Sequence, residues 1–193
     1  MTDQAEHFER LYRACDDPWD YLTSPYEAAK YAATIAALTR RRYAFALEAG
    51  CSIGVLSALL APRCDQLLAV DRVERAVAQA AARLAPHSGA RTMQATLPDD
   101  WPRGRYDLIL LSELVYYLAA SDIDALARCV ARDAVAGAEC VLVQYQGETD
   151  TAIRPDAARD QFCTVVSGLR TIETIDHPSP ADYNHRTLLF HAS

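Results

Sequence analysis

The fold is decided by the stretch Tyr43-Ala-Phe-Ala-Leu-Glu-Ala-Gly-Cys-Ser-Ile-Gly54, which is followed by Leu67-Leu-Ala-Val-Asp71. The first apolar run leads into a turn that begins at Gly50, and the second ends in an acid 21 positions after that glycine. This order predicts a strand, a tight glycine turn, a helix and a second strand tipped with a carboxylate. Such an arrangement places an adenosine between two neighbouring parallel strands, where the acid accepts hydrogen bonds from the ribose hydroxyls.

The spacing of the turn indicates which adenosine cofactor is expected. A dinucleotide site requires G-x-G-x-x-G, with the helix N-terminus facing a pyrophosphate. Here the frame is Glu48-x-Gly50-x-x-x-Gly54, with Ser52 where a middle glycine is common. A carboxylate at position 48 repels a pyrophosphate but suits a cationic sulfonium-amino acid. The frame resembles motif I of class I S-adenosylmethionine (SAM)-dependent methyltransferases, and an ordinary strand-to-helix turn with a buried glycine is the alternative.

The bulk composition narrows the class of protein. A chain of 193 residues with 51% apolar residues predicts one domain with a full core. The net charge is −7 and Arg40–Arg42 is the only basic cluster, so nucleic acid is not an expected partner. No apolar run is long enough to cross a membrane and the start of the chain lacks a secretory pattern, so a cytoplasmic protein is expected. The six cysteines form no C-x-x-C pair and none lies beside a histidine at metal spacing, so no metal site is predicted.

Strands and helices alternate outward from the glycine turn. Five strand-helix units followed by a terminal hairpin predict a Rossmann-like α/β fold of the class I methyltransferase type. Its seven-stranded, mostly parallel sheet has a reversed last strand and helices on both faces. A single domain, 1–193, is expected, with a helical cover in 1–40, a SAM-binding core in 43–145, and a helix and hairpin in 146–193. The predicted strands are Phe45–Glu48, Gln66–Val70, Arg91–Ala95, Tyr106–Leu111, Glu139–Tyr145, Leu169–Asp176 and Arg186–His191, and the predicted helices are Asp3–Arg13, Pro25–Leu38, Gly54–Ala61, Val73–Leu84, Asp122–Ala134 and Asp156–Val166.

Local signals predict where several elements begin or end. Ser24, Pro25 and Glu27 predict the start of the second helix, with the serine and the glutamate forming a capping box. Pro62 is expected to stop the helix that follows the glycine turn. Gly137 is expected to turn the chain into the fifth strand.

The ligand cleft is expected at the carboxyl ends of the strands, where open α/β sheets bind their ligands. The turn after the first strand should line the methionyl part, and the acid after the second should bond both ribose hydroxyls. The arginine that follows this acid should pack over the adenine, and the backbone after the third strand should meet the adenine edge. The predicted cofactor-binding residues are Glu48, Gly50, Cys51, Gly54, Asp71, Arg72, Thr96, Leu97 and Ser112.

The segment after the fourth strand, Ser-Glu-Leu-Val-Tyr-Tyr, lies where a reactive methyl group should point. Its Glu113, Tyr116 and Tyr117 are predicted to be catalytic, because a carboxylate or tyrosine near an amine accepts its proton or stabilises charge. Adjacent positions on a helical turn point about 100° apart, so one of the two tyrosines is expected in the core. His177 and His185 are alternative bases, although isolated histidines are more often structural.

Several further motifs carry a family resemblance. They are Asp17-Pro18-Trp19, Thr23-Ser-Pro-Tyr-Glu27, Gly50-Cys-Ser-Ile-Gly54, Leu60-Ala-Pro-Arg-Cys64 and Ser112-Glu-Leu-Val-Tyr-Tyr117. Together they resemble the nodulation protein S family over roughly residues 10–145. The resemblance implies a SAM-dependent N-methyltransferase, which releases S-adenosylhomocysteine (SAH) and methylates the free amino group of the non-reducing glucosamine of a deacetylated chitooligosaccharide. It also implies a cover that closes on cofactor and acceptor, formed by Asp17, Trp19, Tyr26, Lys30 and Tyr31.

The leading interpretation is therefore an enzyme that methylates an amino group on an amino sugar, a chitooligosaccharide or another small polar acceptor. An O-methyltransferase for natural products or carboxylates would use the same cofactor. A non-catalytic SAM-binding regulatory module would also keep Gly50, Gly54 and Asp71, because these residues bind cofactor rather than perform chemistry. A dinucleotide-dependent oxidoreductase is disfavoured by the glycine frame and by the lack of an evident hydride-transfer domain in 193 residues.

Overall fold

A computed structural model describes residues 3–147, 149–166, 169–177 and 185–192. Two short 3-10 turns, Ala61–Arg63 and Val115–Tyr117, accompany the helices and strands. The connection between the last two strands, residues 178–184, lies outside the described residues. The helices are α1 (Asp3–Ala14), α2 (Pro25–Ala37), α3 (Val55–Leu60), α4 (Glu74–Leu84), α5 (Ala120–Asp133) and α6 (Pro155–Val165), and the strands are β1 (Tyr43–Ala49), β2 (Cys64–Asp71), β3 (Ala90–Gln94), β4 (Tyr106–Ser112), β5 (Ala134–Tyr145), β6 (Leu169–His177) and β7 (His185–Ala192).

The strands form one sheet in the order β3-β2-β1-β4-β5-β7-β6. Neighbouring strands from β3 to β5 pair in parallel, whereas β7 is antiparallel to both β5 and β6. The predicted Rossmann-like class I fold, with its reversed last strand, is confirmed. Because β1 lies between β2 and β4, the carboxyl ends of these three strands meet at one edge of the sheet.

Alternate residues of the central strands enter two separate hydrophobic cores. On one face, Leu47 of β1 and Ile109 of β4 pack with side chains of α5 and α6. On the other face, Ala46 and Leu108 pack with side chains of α2, α3 and α4. A strand that is buried on both faces needs a nearly continuous apolar sequence, which is why the runs around the glycine turn lack polar alternation.

The third predicted strand-helix unit lacks its helix. Residues 95–105 connect β3 to β4 as a loop and contain Pro98, Pro102 and Gly104. Two prolines in this short segment remove backbone donors and disfavour the helical conformation in the residue before each of them. The prediction of five complete strand-helix units was therefore wrong at this position.

Two predicted element ends also differ from the structure. Helix α3 ends at Leu60, and Pro62 lies inside a 3-10 turn rather than directly after the helix. Strand β5 begins at Ala134, earlier than the predicted Glu139, and Gly137 lies within it at a φ of 74°. The register between β4 and β5 shifts in this region, so Gly137 belongs to a bulge and not to a turn that precedes the strand.

The first two helices lie outside the alternating strand-helix pattern, as predicted for residues 1–40. Tyr12 of α1 packs with Ile53 and Val73, which follow β1 and β2. Tyr31 of α2 and Leu38, which follows this helix, join the core on one face of the sheet. Among the described residues, no helix combines the length and the apolar character that crossing a bilayer requires.

Candidate active site

A cavity of about 1460 Å³ lies at the carboxyl ends of β1, β2 and β4 and is bordered by α1 and α2. Ligand pockets commonly measure about 300–1,000 Å³, so this cavity has room for a cofactor and a second molecule. Most of the residues predicted from the sequence contribute to its wall. They are Trp19, Tyr26, Lys30, Tyr31, Glu48, Gly50, Cys51, Asp71, Arg72, Thr96, Leu97, Ser112, Glu113, Tyr116 and Tyr117.

The turn after β1 is held in place by backbone hydrogen bonds to β2. The N–H groups of Gly50 and Cys51 both donate to the Val70 carbonyl, at 2.8 and 2.9 Å. Gly50 has a φ of 81° and Ser52 a φ of 50°, so both residues adopt the left-handed conformation. The turn therefore obtains its shape from the sheet itself and presents its edge to the cavity.

Asp71 stands at the end of β2 with both carboxylate oxygens fixed by the backbone. Its Oδ2 accepts from the Ser52 N–H at 2.9 Å, and its Oδ1 accepts from the Val73 N–H at 2.9 Å. Each oxygen retains a second lone pair. Burial raises the pKa of this carboxyl, and the backbone donors oppose that shift. The arrangement can accept two further hydrogen bonds from a vicinal diol.

Glu48 is a buried acid next to the glycine turn, with 1% of its surface exposed. Its Oε2 and the Ser57 hydroxyl both lack a hydrogen-bond partner of normal geometry within the described part of the chain. Burial raises the pKa of Glu48 to about 8, a weak interaction with Ser57 opposes the shift, and the charge of Asp71 adds to it. A cation bound in the cavity would stabilise the ionised form of Glu48.

Two predicted site residues lie outside the lining of the cavity. Gly54 precedes α3 at a φ of 79°, and a Cβ at this position would lie 2.8 Å from the Ala80 Cα. The glycine therefore lets α3 pack closely against α4. Asp17 accepts hydrogen bonds from the N–H groups of Tyr21 and Leu22, at 2.8 and 2.9 Å, and so closes a turn in the cover.

The segment after β3 offers the adenine edge fewer backbone groups than predicted. The Thr96 N–H already donates to Asp100 Oδ2 at 3.0 Å, and the Thr96 carbonyl accepts from the Asp100 N–H at 2.8 Å. Thr96 is therefore part of a local turn, and a contact with the adenine edge would fall mainly to Leu97. Arg72 also lines the cavity.

A buried ion cluster also contributes to the lining of the cavity. Lys30 on α2 is 1% exposed. Its Nζ donates to Glu27 Oε1 at 2.9 Å and to Glu113 Oε2 at 2.8 Å. The same ammonium lies 5.3 Å from the ring centre of Tyr26 and 5.4 Å from that of Tyr31. Carboxylates and aromatic faces together stabilise a cation at this position.

Glu27 is a site residue that the sequence reasoning assigned to a different role. Ser24 Oγ accepts from the Glu27 N–H at 3.3 Å, so the first half of the predicted capping box is present. The Glu27 carboxylate, however, turns inward to Lys30, and its part in the capping box was wrongly predicted. Burial raises the pKa of Glu27 and the lysine charge opposes the shift. The three-residue spacing of Glu27 and Lys30 on one helix was the available signal.

Glu113 follows β4 in an unusual backbone conformation. Its φ is 51°, and its N–H donates to the Val143 carbonyl at 2.8 Å. Positive φ at a residue with a side chain is uncommon and often marks a functional site. The side chain is 21% exposed and lines the cavity. Its Oε1 makes no hydrogen bond within the described residues, so this oxygen remains available to a ligand.

The two adjacent tyrosines occupy different environments. Tyr116 is 3% exposed and belongs to the core that α5 and α6 cover, whereas Tyr117 lies at the edge of that core. The rings stand 4.7 Å apart, and Tyr117 also meets Phe8 of α1 edge-on at 5.1 Å. Burial, together with the charge of Glu113, raises the pKa of both phenols. Both remain protonated at neutral pH and can donate a hydrogen bond but cannot act as anionic bases.

Aromatic residues join the cover to the cavity. Trp19 contacts the rings of Phe8, Tyr12 and Tyr21 at centre distances of 6.0, 5.7 and 5.6 Å. The Tyr12 hydroxyl forms a hydrogen bond with Ser52 Oγ in the glycine turn. Tyr12 was not among the site residues predicted from the sequence. Phe8 and Tyr12 lie four residues apart on one helical face, which was the signal available.

The remaining sequence hypotheses concern metals and histidine bases. Within the described residues, no group of three His, Cys, Asp or Glu side chains is placed to hold a metal ion. The side chains of His177 and His185 lie outside the described part of the structure.

The sheet order, the glycine turn and the buried acid after β2 define a class I methyltransferase fold. The chain belongs to the nodulation protein S family, whose model matches residues 2–166. Nodulation protein S of Bradyrhizobium diazoefficiens is 34% identical over 119 residues, which cover 60% of this chain and 56% of that protein. The protein of the same name from Sinorhizobium fredii is 29% identical over 130 residues, which cover 66% and 59% of the two chains. The chain thus spans about half the length of the curated relatives it matches.

Solved structures agree with this fold. The N-methyltransferase NodS from Bradyrhizobium japonicum WM9, in complex with SAH, superposes with a TM-score of 0.84 at 21% identity, and the match covers 99% of both chains. A candidate methyltransferase from Pseudomonas syringae is 34% identical with a TM-score of 0.72, over 86% of this chain and 98% of that one.

Proposed function

We propose that this protein is a SAM-dependent N-methyltransferase that acts on the free amino group of an amino sugar, a chitooligosaccharide or a similar small polar molecule. The observation that carries the proposal is one cavity that is lined by a fixed diol acceptor, Asp71, and by a partly exposed carboxylate, Glu113. We call the part of the cavity around Asp71 the cofactor end and the part around Glu113 the acceptor end. Membership of the nodulation protein S family supports the proposal. So does the SAH complex of the Bradyrhizobium japonicum relative.

The chemistry of the cofactor end fits SAM better than a dinucleotide. Asp71 can accept from both ribose hydroxyls while it stays anchored to Ser52 and Val73. Glu48 and Asp71 place two buried acids beside the turn, where the positive sulfonium or α-ammonium group of SAM would stabilise their ionised forms and an anionic pyrophosphate would not. When bound, SAM supplies an activated methyl group to a nucleophile. The turn of Gly50 and Cys51 would hold its methionyl part.

The acceptor end suits an amine. Free amines are protonated at neutral pH and become nucleophilic only after they lose a proton. Glu113 presents an oxygen to the cavity that can accept this proton, and Tyr117 offers a ring face and a hydroxyl beside it. Orientation of the amine within the cavity supplies the rest of the rate enhancement, because a sulfonium needs no further activation. A sugar hydroxyl is a much weaker acid than an ammonium group, and the protonated tyrosines are poor bases for removing its proton.

The first test is calorimetric titration of the purified protein with SAH and, in parallel, NADH. Micromolar binding of SAH alone is expected. The second test measures methyl transfer from SAM to glucosamine and deacetylated chitobiose, with glucose and N,N′-diacetylchitobiose as matched controls that lack the free amine. Transfer to the amino sugars only is expected, in the presence or absence of EDTA.

The alternatives give different results in the same two experiments. Transfer to a hydroxyl or carboxylate acceptor would identify an O-methyltransferase. SAH binding without turnover of any acceptor would indicate a regulatory SAM-binding module. Binding of NADH instead of SAH would contradict the assignment of the glycine turn.

A further inference from the structure

Lys30 is the only lysine among the 19 lysine and arginine residues of the chain. The other 18 are arginines. Lys30 is also one of the largest fully buried side chains among the described residues. A buried ammonium is costly unless hydrogen bonds and opposite charges surround it. Its presence at the acceptor end of the cavity therefore calls for a specific explanation.

The geometry around Lys30 favours lysine over arginine. The inward face of α2 carries Glu27, Lys30 and Tyr31, and the ammonium bonds one carboxylate from its own helix and one from the segment after β4. The Tyr26 and Tyr31 rings flank the same ammonium. A lysine ammonium is a compact charge with three donors that can point in different directions, whereas the planar guanidinium fork pairs best with one carboxylate.

The cluster leaves Glu113 with one bound and one available oxygen. Lys30 occupies Oε2 at 2.8 Å, and the backbone of Glu113 is fixed at positive φ by its bond to Val143. Glu27 balances the charge of Lys30, so the three side chains together carry one net negative charge. The part of Glu113 that is exposed faces the cavity.

We propose that Lys30 is a positioning residue, which holds Glu113 through Oε2 so that Oε1 accepts a proton from the ammonium group of the acceptor. This inference rests on the proposed function. In the step, one N–H bond of the acceptor breaks and an O–H bond forms on Glu113 Oε1. The electron pair stays on the nitrogen and makes it nucleophilic. Lys30 and Glu27 keep their protonation states throughout.

The inference can be tested without an identified acceptor. Sinefungin carries an amino group where SAM carries its transferable methyl group, so it places an ammonium near the expected position of the acceptor nitrogen. The difference between the affinities for sinefungin and SAH, measured by calorimetry, thus reports whether a carboxylate is held beside that position. Wild-type protein is expected to bind sinefungin about 10-fold or more tightly than SAH, as one charge-assisted hydrogen bond would give.

Two variants separate positioning from a general structural role. Lys30→Met and Glu113→Gln should each reduce the preference for sinefungin over SAH to about 3-fold or less, because each variant loses the charge-assisted hydrogen bond to the sinefungin ammonium. The affinity for SAH itself should change less than about 3-fold, because the cofactor end is held by backbone bonds. Glu74→Gln, an exposed glutamate in the first turn of α4, makes the same chemical change outside the cavity and should leave both affinities unchanged.

An unchanged preference for sinefungin in Lys30→Met would overturn the proposal. Equal losses of SAH and sinefungin affinity in this variant would also overturn it, because they would show that Lys30 only stabilises the cover. If SAH binds and the preference depends on Lys30, but amino sugars are not methylated, the positioning role stands and the proposed acceptor class fails. Absence of SAH binding to the wild type would instead contradict the proposed function itself.

The single lysine provides a second measurement if Lys30→Met does not fold. Protein labelled with ¹⁵N at the lysine side chain gives one Nζ resonance, in addition to any signal from the chain terminus. The resonance should shift when sinefungin is added to the wild type, and should shift less when SAH is added, because only sinefungin places an ammonium against Glu113. A resonance that responds equally to both ligands would contradict the proposal.

Discussion

The two ends of the cavity are built in different ways. At the cofactor end, the Asp71 carboxylate is held by the backbone N–H groups of Ser52 and Val73. At the acceptor end, Lys30 and Glu113 lie 83 positions apart in the chain and are joined through their side chains. Backbone groups are present whatever the side chain is, whereas a contact between two side chains is lost when either residue changes.

This difference has a consequence for function. Substitutions on α1, on α2 or after β4 can reshape the acceptor end while the turn after β1 continues to hold a cofactor. We therefore expect relatives with this fold to share a cofactor more widely than an acceptor. The comparison also predicts that variants at the two ends will affect different measured quantities, affinity for SAH at one end and turnover at the other.

The largest effect is expected for Asp71→Ala. The variant removes the proposed acceptor of two ribose hydroxyls, each worth about 1.5–3 kcal/mol as a charge-assisted hydrogen bond, so SAH affinity should fall at least about 100-fold. Calorimetry at constant pH measures this loss. Asp65→Ala is the matched control, because Asp65 lies near the start of the same strand in an exposed pair with Arg42. A small loss at Asp71 would show that the ribose binds elsewhere.

A smaller and separate effect is expected for Glu113→Gln. The amide keeps the shape of the side chain but cannot take up the proton, so kcat with glucosamine should fall by about 100-fold. The affinity for SAH should stay within about 3-fold of the wild type, which calorimetry on the same preparation checks. If kcat is retained, the acceptor amine must lose its proton to a different group.

The same contrast explains what could be predicted from the sequence. The glycine turn and Asp71 follow from short-range spacing, so the sheet and the place of these residues at its carboxyl edge could be predicted. The contact between Tyr12 and Ser52 and the inward turn of Glu27 depend on how α1 and α2 dock, which periodicity does not reveal. The spacing of Glu27 from Ser24 matched a capping box, but the same position on the helix also allows its carboxylate to bond Lys30. Gly54 could not be related to α4 from the sequence for a similar reason, since its glycine requirement comes from Ala80 on a different helix.

Glu48 at the cofactor end should make the stability of the fold depend on pH. The pKa of Glu48 in the folded, ligand-free protein is raised from 4.5 to about 8. Because the raised pKa favours the protonated form, this group stabilises the fold fully below about pH 4.5, and the contribution is lost as the pH rises through 8. Thermal unfolding between pH 6 and 9 should therefore show a fall in Tm in the wild type that is weaker in Glu48→Gln, which cannot ionise.

Binding of SAM should show the opposite trend. A bound cation stabilises ionised Glu48, so binding releases a proton, and the affinity should rise about 10-fold between pH 6 and 8. Glu48→Gln should bind with a flatter pH profile, measured by calorimetry in the same buffers. Identical slopes for the two proteins would show that Glu48 does not contact the positive part of the cofactor.

The smallest effect should come from Tyr12→Phe, which tests where the two ends of the cavity meet. Tyr12 belongs to the cover but bonds Ser52 in the cofactor turn, so the variant removes one hydrogen bond and retains the aromatic packing with Trp19. A net loss of about 0.5–1.5 kcal/mol corresponds to SAH affinity about 2- to 10-fold weaker. Protection of residues 14–24 from proteolysis by SAH should weaken in parallel. Tyr106→Phe removes a hydroxyl bonded to the Pro102 carbonyl outside the cavity, and should alter neither measurement. If Tyr12→Phe binds SAH normally but loses the protection, the cover closes after the cofactor binds and contributes to the acceptor end alone.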